Sequence, residues 1–419
     1  MISETTFDEY WNRVIPRLIN EDVWLIDPLA SYQTGAMIVI ENYRGEASSF
    51  KDNISERSIS AIKAEHASLH MRKANSDTFI SAHRQLAHPW KVGIELTGKC
   101  NFKCIHCYAK PLRAIHDQPS DTIYKLLDWL HDSGVLFVWF TGGECTFRND
   151  FNEIYVYAKN KGFIVSILTN GSMLERSINI LLKYPPKMVK VSQYGATRTD
   201  YLKMTGSSDN FELFTKGIAL LQQNGINYSI QTVITKVNCD STEAMASFCE
   251  SIGAKQRKIV QMQPRLGGAY DTKECEAEGT IYDNEILSDD YKEFIRDTYA
   301  QRKPHLNWSI QNGIGLCSAG LTECFISVDL RICLCIMVRD RSVKCDLSKS
   351  FNVMFSKLTI LRQESLQLDT ECKSCEALGI CSTCSYFKDI YRAHNRLKHI
   401  CSEKKTLFNA VIGKEVNAQ

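Results

Sequence analysis

The sequence has no run of eighteen apolar residues, so no segment reads as a membrane span. Its first residues, MISETTFDEYWNRV, are polar and acidic and lack the basic and apolar stretches of a signal peptide. Net charge is almost missing: Lys plus Arg is 50, Asp plus Glu is 48, and the balance is +2. That excludes a global field for nucleic acid or an anionic membrane, so neither is expected as a partner. Low-complexity tracts and short-period repeats are absent, and 44% apolar with 23% charged residues excludes wholesale disorder. The expectation is a globular, cytoplasmic chain of two or three domains within 419 residues.

Cysteine is abundant by contrast. There are 17, an odd number in a chain that reads as cytosolic, so a disulfide framework is not expected. Most of them crowd at short spacings toward the C-terminus. In a reducing compartment such clusters point to thiolate ligands of zinc or iron–sulfur centres.

Residues 1–88 carry no chemical motif. Strands are expected at Val23–Ile26 and around Ala36–Glu41, and helix from about Ser55 to Lys73. Pro89–Trp90 reads as a boundary. Six apolar strand-like runs follow, at Val92–Leu96, Leu136–Phe140, Ile164–Leu168, Met188–Ser192, Asn227–Ile234 and Lys258–Met262. Helical patterns lie between them and end at Gly134, Gly162, Gly225 and Gly253, where left-handed caps are expected. Strands alternating with helices imply parallel βα units. Six fall short of the eight in a closed TIM barrel, so the expected fold is α/β, an open (β/α)6 partial barrel with function at the C-terminal strand ends. The expected division is an N-terminal α+β segment at 1–88, the barrel core at 89–265, a helical connection at 266–313, a cysteine-rich domain at 314–405 and a tail at 406–419.

After the first strand the chain reads Cys100-Asn-Phe-Lys-Cys104-Ile-His-Cys107-Tyr. Three thiolates within eight residues can wrap one metal centre. On a four-iron cluster they leave one iron open to a small molecule's amine and carboxylate; zinc is the competing reading. The second strand ends in Thr141-Gly142-Gly143-Glu144, the third in Thr169-Asn170-Gly171, the fourth in Ser192-Gln193-Tyr194-Gly195. Singly these are ordinary turns; together they set polar groups at successive strand ends beside three cysteines.

On these residues the chain resembles the radical S-adenosylmethionine superfamily, whose CxxxCxxC signature is matched by Cys100, Cys104 and Cys107, with aromatic His106 before the last cysteine. The resemblance implies a [4Fe–4S] cluster that binds S-adenosylmethionine at its open iron. Gly142, Gly143 and Glu144 match the motif that holds the methionine ammonium, and Ser192 the polar residue near the ribose or carboxylate. Asn170 joins them at the third strand end. Gln261 and Met262 open the stretch matching the strand that backs the adenine. Cys145 stands where the family usually has proline. The cofactor pair then cleaves a C–S bond, and the 5′-deoxyadenosyl radical abstracts hydrogen from an unactivated carbon. A flavodoxin- or ferredoxin-type electron donor is implied.

The C-terminal layout resembles the SPASM extension of that superfamily, which carries two auxiliary [4Fe–4S] clusters, making three in all. By family order the first would take Cys317, Cys324, Cys335 and Cys384, the second Cys372, Cys375, Cys381 and Cys401. Asp329-Leu-Arg-Ile-Cys-Leu-Cys335 resembles the family's Asp-Gly-x-Val-x-Pro-Cys, so Cys333 competes with Cys335 for the third position. Cys145 and Cys275 are weak candidates for a catalytic thiol.

SPASM enzymes mostly take peptide or protein substrates. The resemblance therefore implies a maturase that links side chains of a ribosomally made precursor through C–C, C–O or C–S bonds. Residues 1–88 suit either a leader-recognition element or a packing extension. A peptide epimerase, a protein-maturing dehydrogenase and a sugar or aminoglycoside dehydrogenase are the alternatives. A pure electron carrier would ligate every iron.

Overall fold

The computed structural model describes residues 89–413, apart from 136, 278–288 and 382–383, together with the backbone of three strands before residue 89. Those strands, β1 (Val23–Ile26), β2 (Val39–Glu41) and β3 (Met71–Ala74), pair antiparallel in the order β2-β1-β3. The first two fall where the sequence places strands. The third overturns the end of the expected helix, whose remainder lies outside the described residues.

Six parallel strands form the barrel sheet in chain order: β4 (Lys91–Thr97), β5 (Phe137–Gly142), β6 (Ile164–Thr169), β7 (Met188–Gln193), β8 (Tyr228–Val233) and β9 (Gln256–Ile259). The crossovers carry α1 (Ser120–Asp132), α2 (Phe151–Asn160), α3 (Ile178–Lys183), α4 (Arg198–Thr205), α5 (Asn210–Gln223) and α6 (Thr242–Ser251). In α1 the apolar stripe Ile123, Leu126, Leu127 and Leu130 recurs at helical spacing and is buried. The four capping glycines all take positive φ, as their positions require. The last strand begins and ends earlier than its apolar run suggests.

Alternation sorts the strand residues into two faces. Val138, Phe140, Val165, Ile167, Val189 and Val191 are fully buried under the helices. Between them Trp139, Ser166, Met188, Lys190 and Ser192 are half-buried and line the concave face. The lumen is therefore open and mixed in polarity, while the helix-facing layer is a dry core.

The sequence gives no sign of one feature. Strand β10 (Glu323–Ile326) lies in the cysteine-rich region yet pairs parallel with β4, Glu323 against Lys91 through Ile326 against Ile94. Antiparallel β11 (Arg331–Cys333) and β12 (Ser342–Lys344) extend it, giving one sheet of nine strands. Leu330, between β10 and β11, has φ 57, at the position where the resembling motif has glycine.

A buried ion pair reinforces this join. Glu95 of β4 is 2% exposed, and both its oxygens receive the Arg339 guanidinium, at 2.6 and 2.8 Å. The Val328 amide donates to the same carboxylate at 3.0 Å. Removing one partner strands a buried charge, whereas removing both does not. Arg339→Met is expected to destabilise the folded protein by about 3–5 kcal/mol, and Glu95→Leu/Arg339→Met by much less. Urea unfolding of Arg339→Met, Glu95→Leu and the double variant checks this; a double-variant loss equal to the sum of the two single losses would show that the pair is not coupled.

Candidate active site

The three cysteines occupy the loop leaving β4, and the backbone of that loop is fastened on every side. The amides of Gly143 and Glu144 donate to the carbonyls of Thr97 and Lys99, both at 2.8 Å. Lys103 and Ile105 donate to Thr205 and Met204 at the end of α4. Arg113 donates to the Phe102 carbonyl at 2.5 Å, and Arg265 to the carbonyls of Cys107 and Ile105 at 2.7 and 3.1 Å. A Cβ on Gly143 would come within 2.3 Å of the Lys99 carbonyl, and one on Gly142 within 2.4 Å of that of Thr97. Only glycines let the second strand's turn press against the cysteine loop.

Glu144 lies beneath that turn, 1% exposed. One oxygen accepts from the Thr146 amide, the Thr146 hydroxyl and the Thr169 hydroxyl, and the other from the Asn170 amide at 2.6 Å. Burial raises its pKa, against these donors. With these bonds the Glu144 side chain joins the ends of β5 and β6. Asn170 in turn donates to Asn101 at 3.1 Å and points its amide toward the Cys100 sulfur at 3.9 Å.

The remaining strand ends close around the loop. Tyr194, just past β7, packs against His106 at 5.4 Å and Phe102 at 6.1 Å. Ser192 is half-buried on the lumen side. The Met262 amide is held by Glu276 at 3.1 Å, and Leu266 donates to the Tyr108 carbonyl at 3.0 Å, so the stretch beginning at Gln261 runs beside the cysteine loop. Cys145 does not face this site. It is fully buried, with its thiol toward the Leu168 carbonyl at 3.4 Å, so it is a core residue rather than a hydrogen donor. Cys275 is half-buried near Lys236 and Arg265.

The thiols here are costly to ionise unaided. Burial, the Glu144 charge and the neighbouring Cys107 push Cys100 up to about 12, and burial with Cys107 and Cys100 raises Cys104 further. Burial and the Arg265 charge lower His106 to about 4, so it is neutral near pH 7. Its Nδ1 is buried without a hydrogen-bond partner. Three clustered thiols, with Cys100 and Cys104 costly to ionise, beside an imidazole nitrogen without a partner among the described residues suit a centre that supplies positive charge and occupies space. The residues fit an iron–sulfur cluster.

In the C-terminal region the thiols fall into separate neighbourhoods. Burial raises Cys335 to about 12, with Cys317 and Cys384 adding to it; burial likewise raises Cys401, with Cys381, Cys372 and Cys375 adding. Cys333 ends β11 and stays with the strand, while Cys335 lies beyond it and reaches Cys317 and Cys384. Cys324 departs from its expected group. It is buried in β10, and the thiols that act on it are Cys345 and Cys333. Among the described residues no three His, Cys, Asp or Glu side chains close at single-ion spacing.

Three residues that sequence reasoning missed stand out. Arg265 clamps the cysteine loop from outside its motif, and Tyr194 covers it. Lys388, 5% exposed, places its ammonium 3.0 Å from the Cys372 sulfur and 3.1 Å from Asp369. None lies in a pattern that spacing reveals; only the fold brings them to the thiols.

Residues 94–249 match the family model described as the Radical SAM superfamily. Over 340 residues the chain is 26% identical to the antilisterial bacteriocin subtilosin biosynthesis protein AlbA of Bacillus subtilis, covering 78% of this chain and 73% of that protein. It is 32% identical over 158 residues to Fe-coproporphyrin III synthase of Methanosarcina barkeri, covering 37% of this chain and 39% of that one. With mycofactocin maturase MftC of Mycobacterium tuberculosis the identity is 27%, over 55% and 60%. Streptococcus suis SuiB bound to precursor peptide SuiA superposes with TM-score 0.58 at 16% identity, over 88% of this chain and 96% of that one. anSMEcpe with bound AdoMet and a peptide gives 0.55 at 15% identity, over 75% and 99%. At such identities the superpositions establish the partial-barrel fold alone.

Combining Cys100→Ala, Cys104→Ala and Cys107→Ala should abolish cleavage of S-adenosylmethionine while iron at the C-terminal thiols is retained. Iron analysis and release of 5′-deoxyadenosine from the reduced protein measure both. Continued release by the variant would refute the site.

Proposed function

For a chain that is a radical S-adenosylmethionine enzyme, we propose a ribosomally made precursor peptide as substrate and a cross-link between its side chains as product. The observation that carries this is the extent of the AlbA match. It covers 78% of the chain, well beyond residues 94–249, and so includes more than the barrel common to the superfamily. AlbA and MftC are named for bacteriocin biosynthesis and mycofactocin maturation.

Cys100, Cys104 and Cys107 would hold the cluster that binds S-adenosylmethionine, with the backbone of Gly142–Glu144, Asn170, Ser192 and the Gln261–Met262 stretch around it. When bound, the pair supplies removal of a hydrogen atom from carbon. The chain's own work is placement. Arg265 and Arg113 fix the loop, Glu144 locks two strand ends, and neutral His106 fills the wall beside Tyr194 without adding charge. In this proposal the peptide segment would lie on the half-buried concave face below Ser192, close to those strand ends.

The finer assignments belong to the same proposal. Cys372, Cys375, Cys381 and Cys401 would hold one auxiliary [4Fe–4S] cluster, and Cys317, Cys335 and Cys384 the other. Cys324, by its position, is outside that second set. Residues 1–88 would bind the leader. An antiparallel three-stranded sheet has edges that can accept an added strand, which supports this role. A flavodoxin- or ferredoxin-type protein would deliver the electron.

Two measurements test the proposal. Full-length protein and a chain starting near His88 are each co-produced with the precursor from the neighbouring reading frame. Each cross-link should remove two hydrogens, seen as a mass loss, in the full-length protein only, because tethering raises the local core concentration towards millimolar. An unchanged mass with altered stereochemistry would instead indicate epimerisation, and equal modification by both chains would remove the recognition role. Separately, Lys388→Met should lower the potential of the cluster ligated by Cys372, since it removes a buried positive charge and a hydrogen bond to sulfur. Lys388→Arg should keep it near the parent value. Electron paramagnetic resonance during a redox titration reads both.

A further inference from the structure

The concave face of the barrel carries a charge that the placement above does not use. Lys190 of β7 lies between Val189 and Val191, both fully buried toward the helices, so strand alternation turns Lys190 into the lumen. In register it pairs with Leu168 of β6 and Ser229 of β8. Ser192 is the next lumen residue toward the C-terminal end of the strand. Lys190 therefore stands one step deeper than the C-terminal strand ends, toward Lys91 and Lys187 at the strands' N-terminal ends.

Its surroundings are cationic. Burial first, then the charges of Lys91, Arg257 and Lys187, disfavour its protonated form. Those three side chains are engaged elsewhere. Lys91 pairs with Glu323 at 3.2 Å, Lys187 lies over the Phe137 ring at 4.7 Å, and Arg257 over the Phe294 ring at 4.7 Å. Lys190 has no hydrogen-bond or ion-pair partner among the described residues. The carboxylate of Glu95, on the same face of the sheet, is saturated by Arg339. An ammonium taken partly out of water without a partner costs free energy unless an occupant compensates it.

We propose that Lys190 anchors an anion-recognition site in the barrel lumen that takes a carboxylate of the substrate, from an acidic side chain or a free C-terminus. The surrounding cations strengthen the attraction, and Lys190 makes the contact. As a statement about the substrate this rests on the peptide reading above; as a statement about the cavity it does not.

The test uses reconstituted full-length protein and four probes: glutarate, an acetylated and amidated tripeptide with central glutamate, its glutamine counterpart, and the glutamine tripeptide with a free C-terminus. Acetylation of Lys190 is followed by mass spectrometry, and probe affinity by calorimetry. Glutarate and the glutamate tripeptide should slow labelling several-fold, and the amidated glutamine tripeptide should not. Protection by the free-C-terminus tripeptide would assign the carboxylate to a chain end as well. Affinity for the glutamate tripeptide should fall about ten- to a hundredfold in Lys190→Gln, the usual range for losing one charge-assisted hydrogen bond. It should persist in Lys190→Arg. Protection by glutarate but by no peptide would uphold the anion site and count against a peptide substrate. Equal binding of glutamate and glutamine tripeptides, undiminished in Lys190→Gln, would overturn the anion site and leave the peptide reading standing.

Discussion

Everything in this molecule hangs on the first barrel strand. β4 hydrogen-bonds to β5 on one side and to β10 on the other, and its C-terminal end releases the three-cysteine loop. Parallel pairing on both edges makes the strand central rather than terminal, so its direction is fixed from both sides. The Glu95–Arg339 pair then ties the lumen side of β4 to the segment just beyond Cys335. Whatever the thiol groups bind, the distance between the loop and the Cys335 neighbourhood is set by a continuous sheet and a buried ion pair. Electron exchange between two such centres depends on that distance staying constant.

The second constraint is electrostatic. Burial raises the pKa of Cys100 and Cys104 in the loop and of Cys335 and Cys384 in the C-terminal region, and neighbouring thiols add to each rise. Without a cation they stay protonated, which keeps the apolar surroundings tolerable but makes the sites poor ligands. Ligation and deprotonation must occur together, so metal binding couples to the final packing of these segments. The supporting hydrogen bonds show the same economy. Arg265 and Arg113 satisfy carbonyls of the loop rather than its sulfurs, so the backbone is set before any centre is in place.

The barrel strands, their capping glycines and the loop cysteines were legible because each leaves a local mark: an apolar run, a glycine after a helix, a fixed spacing. What was not legible is non-local. β10 is four residues long, and its pairing with β4 spans more than two hundred residues, so no window of sequence contains it. Cys324 reads as a ligand because it falls between Cys317 and Cys335, yet strand pairing draws it into the core with Cys333 and Cys345. Glu144 is marked by its motif, while the hydroxyls and amides it accepts from, on Thr146, Thr169 and Asn170, come together only in the fold. Spacing identifies which residues share a region; only pairing and burial decide which way each one points.

The lumen shows how the same logic sorts charge. Glu95 from β4 and Lys190 from β7 lie on the same face of the sheet. One is buried and receives a guanidinium and an amide; the other is half-buried among cations and has no hydrogen-bond or ion-pair partner among the described residues. If the interior served packing alone, the two could have neutralised each other across the open barrel. Instead Arg339 is brought from the C-terminal region to satisfy Glu95. Under the anion site proposed for Lys190, compensating Glu95 while leaving Lys190 without a partner among the described residues would favour an occupant of negative charge.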